Sequence, residues 1–199
     1  MMDLPRLVNS MQVGADRIQE IVLSLRNFSR LDEAEFKVAN LHSGINSTLM
    51  ILQHRLKAKD AQPEIVINLD YGDIPKVECY AGQLNQVFMN IIANAIDALE
   101  ESVIKGHVCH PEITIQTLKQ DDRVIISITD NGIGIEPEQL SRLFDPFYTT
   151  KPVGQGTGMG LSISYQIVVD RHSGTLDCIS AIGSGTKFVI TLPIKHYEN

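Results

Sequence analysis

Asp130-Asn131-Gly132-Ile133-Gly134-Ile135 and, after a short spacer, Gly154-Gln155-Gly156-Thr157-Gly158-Met159-Gly160-Leu161 are the stretches on which the reading of this chain turns. The first is an Asp-led glycine turn that ends a run apolar on alternate positions, Val124, Ile126 and Ile128, so it should emerge at the end of a strand. The second is a glycine run that opens an apolar helix. Upstream, Asn90, Asn94 and Asp97 stand at i, i+4 and i+7 and share one helix face, while Val87, Ile91, Ile92, Ala95, Ala98 and Leu99 form the core side. Three separated pieces in this order are far more specific than any one glycine cluster.

Each piece has a chemistry. A carboxylate at a strand end, as Asp130 is placed, can accept the exocyclic amine of adenine, and Gly132 and Gly134 let backbone approach a ring with no Cβ in the way. The competing reading is an ordinary Asp-Asn-Gly turn, weakened because Gly134 and Ile135 follow rather than a return strand. Backbone amides of a glycine-rich loop running into a helix N-terminus form an anion site that suits a triphosphate. The run has neither the G-x-G-x-x-G register nor G-K-[ST], and the chain has no H-R-D, which speaks against dinucleotide folds, P-loops and protein kinases of the Ser/Thr/Tyr type. Side-chain amide oxygens of Asn90 and Asn94 suit Mg²⁺ that already carries phosphate oxygens and water. The plainer alternative has Asn94 satisfying a buried backbone group and Asn90 merely exposed. Between the glycine runs, Phe144, Phe147 and Tyr148 read either as handles of a lid or as part of the fixed core, with Lys151 the nearest cation to the phosphate loop.

Composition bounds the rest. The chain has 199 residues, 43% hydrophobic and 21% charged, enough for a substantial core in one domain with something attached. A net charge of −7 is a poor footing for tracking a phosphate backbone, so nucleic acid is not an expected partner. Three scattered cysteines without C-x-x-C spacing argue for a reducing, cytoplasmic setting. The spacing of His107, Cys109 and His110 fits no familiar metal site and reads as a loop. No apolar run is long enough to span a bilayer, so no membrane contact is expected of this stretch. The heptad pattern begins directly after Met1-Met2, which reads as a cut through a longer chain that leaves room for an anchor upstream.

That pattern (Leu4, Leu7, Met11, Gly14, Ile18, Ile21, Leu25, Phe28) predicts a long helix over residues 1–34 whose seam needs a partner helix. Residues 35–199 alternate helix and strand. Helices are expected over 41–59, 83–101 and 160–171; strands over 64–69, around Val77, and in two hairpins at 113–128 and 175–192. Helices mixed with antiparallel hairpins predict an α+β, two-layer sandwich with one sheet face covered by helices.

The motifs Asn90–Leu99, Asp130–Ile135, Leu143–Lys151 and Gly154–Ser164 resemble the Asn box, first glycine box, phenylalanine box and second glycine box of the ATP-binding domain of sensor histidine kinases. That domain shares the Bergerat fold with DNA gyrase B, heat-shock protein 90 and the mismatch-repair protein MutL. The resemblance covers roughly residues 40–194, and residues 1–34 resemble the second helix of the kinases' dimerisation and phosphoacceptor bundle. It implies ATP and Mg²⁺ as cofactors, with Asn90 and Asn94 on metal and phosphates and Asp97 lining the pocket. It implies Asp130 on the adenine amine, with Gly132, Gly134 and Ile135 beneath the base. Lys151, Gln155, Gly156, Thr157, Gly158, Met159, Gly160 and Leu161 would follow the phosphates, and Thr186 would add a water-mediated contact near the adenine. Implied partners are a response regulator receiver domain and a second copy, through the N-terminal helix.

One departure matters. None of His42, His54, His107, His110, His172 and His196 sits in the acceptor setting, a His followed by an acidic residue on a bundle helix. The chain thus resembles the phosphate-donor part of such a kinase, one that by itself would not autophosphorylate. Two other readings stay open: an ATPase switch of the same fold, and a nucleotide-sensing interaction module without catalysis.

Overall fold

A computed structural model describes residues 36–58, 63–150 and 158–195. The expected helix over residues 1–34 lies outside the described residues, as do Lys151, Gln155, Gly156 and Thr157. The chain forms strands β1 (Lys37–Ala39), β2 (Val66–Tyr71), β3 (Val77–Cys79), β4 (Glu112–Gln120), β5 (Arg123–Asp130), β6 (Thr175–Ser180) and β7 (Thr186–Pro193). The helices are α1 (Leu41–Leu56), α2 (Ala81–Ile104), α3 (Pro137–Leu140) and α4 (Gly160–Tyr165), the last running into a π-helix over Gln166–Arg171. Among the described residues no helix is long and apolar enough to cross a membrane.

Five strands make one mixed sheet in the order β2-β4-β5-β7-β6; β2 and β4 are parallel and the other pairs antiparallel. β1 and β3 form a separate antiparallel pair. The α+β sandwich expected from the pattern is the fold observed. Strict alternation on β4, β5 and β7 sends Ile113, Ile115, Val124, Ile126, Ile128, Phe188, Ile190 and Leu192 to the inner face, all buried. On α2 the buried residues Leu84, Val87, Phe88, Ile91, Ile92, Ala95, Ile96 and Leu99 recur at helical spacing and cover that face. Each of the larger of these side chains contributes roughly 1.5–3 kcal/mol of burial, which ties α2 to the sheet.

Two elements differ from expectation. Strand β2 starts at Val66, and Leu69, on its inner-facing register, is 47% exposed because β2 is an edge strand. The helix expected over 160–171 is α-wound only to Tyr165. A continuous α-turn would bring Arg171, four residues past Ile167, toward the core. The wider π-turn brings His172 instead, five residues on. His172 is buried, donates from Nδ1 to the Ile167 carbonyl at 2.7 Å and accepts from the Tyr80 N–H at 3.0 Å through Nε2. The imidazole is therefore neutral, and it latches the end of the π-helix to Tyr80, the residue just before α2.

Candidate functional site

The inner-face series of three neighbouring strands each end in a polar residue at the same edge of the sheet. Val124-Ile126-Ile128 ends in Asp130 on β5, Leu192-Ile190-Phe188 in Thr186 on β7, and Leu176-Cys178 in Ser180 on β6. Register places them side by side, Asp130 opposite Thr186 and Thr186 opposite Ser180. A row of oxygens thus crosses three strands where the apolar face stops.

Asp130 is 4% exposed. Burial pushes its carboxyl up to about 6, and the backbone N–H groups of Gly132 and Thr186 oppose that shift. The Gly132 N–H donates to Asp130 Oδ1 at 2.9 Å. The turn that follows is pinned from both sides. Ile133 N–H donates to Ser102 Oγ on α2 at 2.9 Å, and Ile135 N–H donates to Ser180 Oγ at 2.9 Å. Asn131 bridges to the start of β4, donating to the His110 carbonyl and accepting from the Glu112 N–H. The glycines have protein reasons of their own. A Cβ on Gly134, which has φ +80°, would sit 2.1 Å from the Ala181 carbonyl oxygen, and one on Gly132 would sit 2.9 Å from Asp130 Oδ1. Close approach was expected toward a ring; the approach observed is to the closing hairpin and to Asp130 itself.

Near the middle of α2, Asn90 Nδ2 donates to the Gly160 carbonyl at 2.9 Å and to Ser164 Oγ at 3.1 Å. One side chain therefore fixes the start of α4, and its Oδ1 is the atom left for a ligand. Asn94 is half-buried one turn further along the same face. Two amide oxygens one turn apart fit an Mg²⁺ that brings phosphate oxygens and water with it. Asp97 continues the face, and Arg55 of α1 donates to its carboxylate and to that of Glu100. That ion pair ties α1 to α2. Gly158 packs against the Phe147 backbone, Met159 is exposed and Leu161 packs on the core. In the aromatic stretch the two readings divide by residue. Phe144 packs against Tyr165 of α4 with ring centroids 5.2 Å apart, whereas Phe147 is 74% exposed at φ +67°.

Residues 80–196 match the family model described as Histidine kinase-, DNA gyrase B-, and HSP90-like ATPase. The chain belongs to that family. Sporulation kinase E of Bacillus subtilis (strain 168) is 34% identical over 179 residues, which are 90% of this chain and 22% of that protein. Sensor histidine kinase ZraS of Escherichia coli (strain K12) is 29% identical over 189 residues, 95% of this chain and 38% of that protein. The chain thus spans between about a fifth and two fifths of these relatives. The catalytic domain of histidine kinase ThkA superposes with a TM-score of 0.68 at 25% identity, covering 81% of this chain and 99% of the ThkA domain.

Within this ATPase family frame, two contributors were missed in the sequence: Ser102 and Ser180. Both are polar residues standing where the periodicity calls for apolar ones. Ser102 falls on the buried face of α2, and Ser180 on the inner face of β6. Cys178, one inner-face step before Ser180, feels the Asp130 charge, and burial first and that charge second push its thiol up to about 12.

Proposed function

We propose that this chain is the ATP-binding catalytic portion of a sensor histidine kinase of a two-component system. It presents Mg·ATP so that an imidazole nitrogen on a separate helix attacks the γ-phosphorus as the bond to the departing ADP oxygen breaks, and the phosphoryl group then passes to an Asp carboxylate of a response regulator receiver domain. The observation that carries this reading is the pairing, along α2, of an acceptor row with an Asn-tied helix start. From Ala98, which packs on Gly132, to Asn90, which holds Gly160, α2 rises roughly 12 Å, a span that a nucleoside triphosphate bridges.

In this mechanism Asp130 accepts the adenine amine and Thr186 takes a water-mediated contact beside it. The turn from Gly132 to Ile135 lies beneath the base. Asn90 and Asn94 would hold Mg²⁺ through their amide oxygens, and the metal would supply neutralisation of polyphosphate charge. Lys151, Gln155, Gly156, Thr157 and the start of α4 follow the phosphates, and Asp97 borders the pocket. The protein contributes positioning and charge compensation with no covalent intermediate. Residues 1–34 contribute one helix of the bundle through which two copies associate. His172 is buried and engaged at both nitrogens, and His42 stacks on Tyr71 and bonds Thr117, so neither stands ready as an acceptor.

The test mixes this chain and γ-labelled Mg·ATP with a separately made dimerisation hairpin carrying the acceptor His. Acid-labile, base-stable label on the hairpin is the expected result. Tight ATP binding with no label on the hairpin would overturn the kinase reading. Hydrolysis without any acceptor would point to an ATPase switch.

A further inference from the structure

Ser180 Oγ lies 2.8 Å from the Gly185 carbonyl oxygen, 2.9 Å from the Ile135 nitrogen and 3.0 Å from Thr186 Oγ1. A serine hydroxyl has one proton and two lone pairs. The Gly185 carbonyl can only accept, so the Ser180 proton goes there. The Ile135 N–H can only donate, so it occupies one lone pair. The remaining lone pair faces Thr186, whose hydroxyl must then be the donor. The direction of the Ser180–Thr186 bond, open if the pair is taken alone, is fixed by the other two partners.

The consequence falls on the site. With its proton turned to Ser180, Thr186 Oγ1 keeps only lone pairs for anything else. Asp130, its neighbour in the row, is likewise an acceptor when ionised. We propose that Ser180 is a positioning residue for base selectivity: it holds the Thr186 hydroxyl, and with it the water through which Thr186 meets the base, in the arrangement that favours a purine with an exocyclic amine opposite Asp130 over one with a carbonyl at that position. The inference rests on the adenine-pocket reading above. Ser180 sits on an inner-face position of an edge strand and acts through its bond to Thr186.

The test is calorimetric titration of the whole chain with Mg·ATP and with Mg·ITP, whose base carries a carbonyl in place of the amine. The wild-type protein is expected to favour ATP by about a hundredfold or more, since a site built around one donor leaves acceptors opposed when the donor is replaced. In Ser180→Ala the Thr186 hydroxyl is free to rotate and donate, so the ATP-to-ITP ratio should narrow severalfold, up to about tenfold. Ser180→Thr keeps the hydroxyl and should restore the wild-type ratio. In a Thr186→Val background, Ser180→Ala should leave the ratio unchanged. A purely structural serine would weaken both nucleotides equally, so an unchanged ratio in Ser180→Ala overturns the proposal. Should that variant not fold, the ratio is read in Ser180→Cys, whose poorer thiol acceptor should shift it in the same direction; no shift there overturns it equally. If the wild-type protein binds neither nucleotide, the pocket reading falls. If it binds ATP and only the ratio fails to move, the role of Ser180 alone falls.

Discussion

The proposed base end of the site is made by strands, and the proposed phosphate end is anchored by one side chain, Asn90 of α2, that ties down the short helix α4. At the base end, ladder register alone brings Asp130, Thr186 and Ser180 into a row, and the amides of Gly132, Ile133 and Ile135 each find a side-chain acceptor. At the phosphate end, Asn90 holds the Gly160 carbonyl and the Ser164 hydroxyl, and α4 runs only six residues before the π-turn begins. Strand pairing is cooperative and overdetermined, since a slip would turn every inner side chain outward. A tie made by one side chain, even through two hydrogen bonds, is one that a single substitution removes. The two ends should therefore fail separately: damage to the row should be felt by adenosine as much as by ATP, and damage at Asn90 by ATP alone.

The largest effect is expected from Asp130→Ala. A charge-assisted hydrogen bond to the base and the acceptor of the Gly132 N–H disappear together, worth about 3 kcal/mol or a hundredfold in affinity. Titration should show that loss with both ATP and adenosine. Loss with ATP alone would break the division between the two ends. Asn90→Asp comes next. It keeps the shape but places a carboxylate oxygen opposite the Gly160 carbonyl, where the amide now donates. ATP affinity should fall about thirtyfold, near 2 kcal/mol, through the displaced start of α4. Adenosine affinity should stay within about twofold; a matching loss with adenosine would mean that the two ends share one support.

How much of this could be read in the chain follows the same division. Alternation on β4, β5 and β7 and the helical spacing of α2 made the sandwich legible, because both periods come from buried faces that the chain must match. Asp130 and Thr186 stood out as expected site residues. Their being neighbours in a row depends on strand order and register, which local pattern does not encode. Ser102 and Ser180 left a signal, a hydroxyl at a position where the period calls for an apolar residue, yet a lone serine there has many meanings until its partners are known. The π-turn was hidden because the pattern from Gly160 onward fits an α-helix well; only the burial of His172, and not Arg171, distinguishes them. The engagement of Asp97 by Arg55 is likewise a contact between residues 42 positions apart, beyond any local pattern.

The smallest predicted effect separates what Asp130 does for the ligand from what it does to the fold. Its carboxyl is raised from 3.8 to about 6, mainly by desolvation, so the buried group prefers its proton until the pH passes that value. The base amine needs an acceptor, hence the ionised form. Adenosine, which carries no phosphate to titrate, should bind about tenfold more weakly at pH 5 than at pH 7, and Asp130→Ala should remove that dependence. Stability runs the other way. A carboxyl with a folded value above its unfolded one contributes most below about 4, and the contribution is lost as the pH rises through about 6. Asp130→Asn should therefore make the unliganded protein more stable than wild type at pH 7.5 by on the order of 2 kcal/mol in urea unfolding, with the advantage shrinking toward pH 4. A variant equally stable at both pH values would mean that the row carries no desolvation cost.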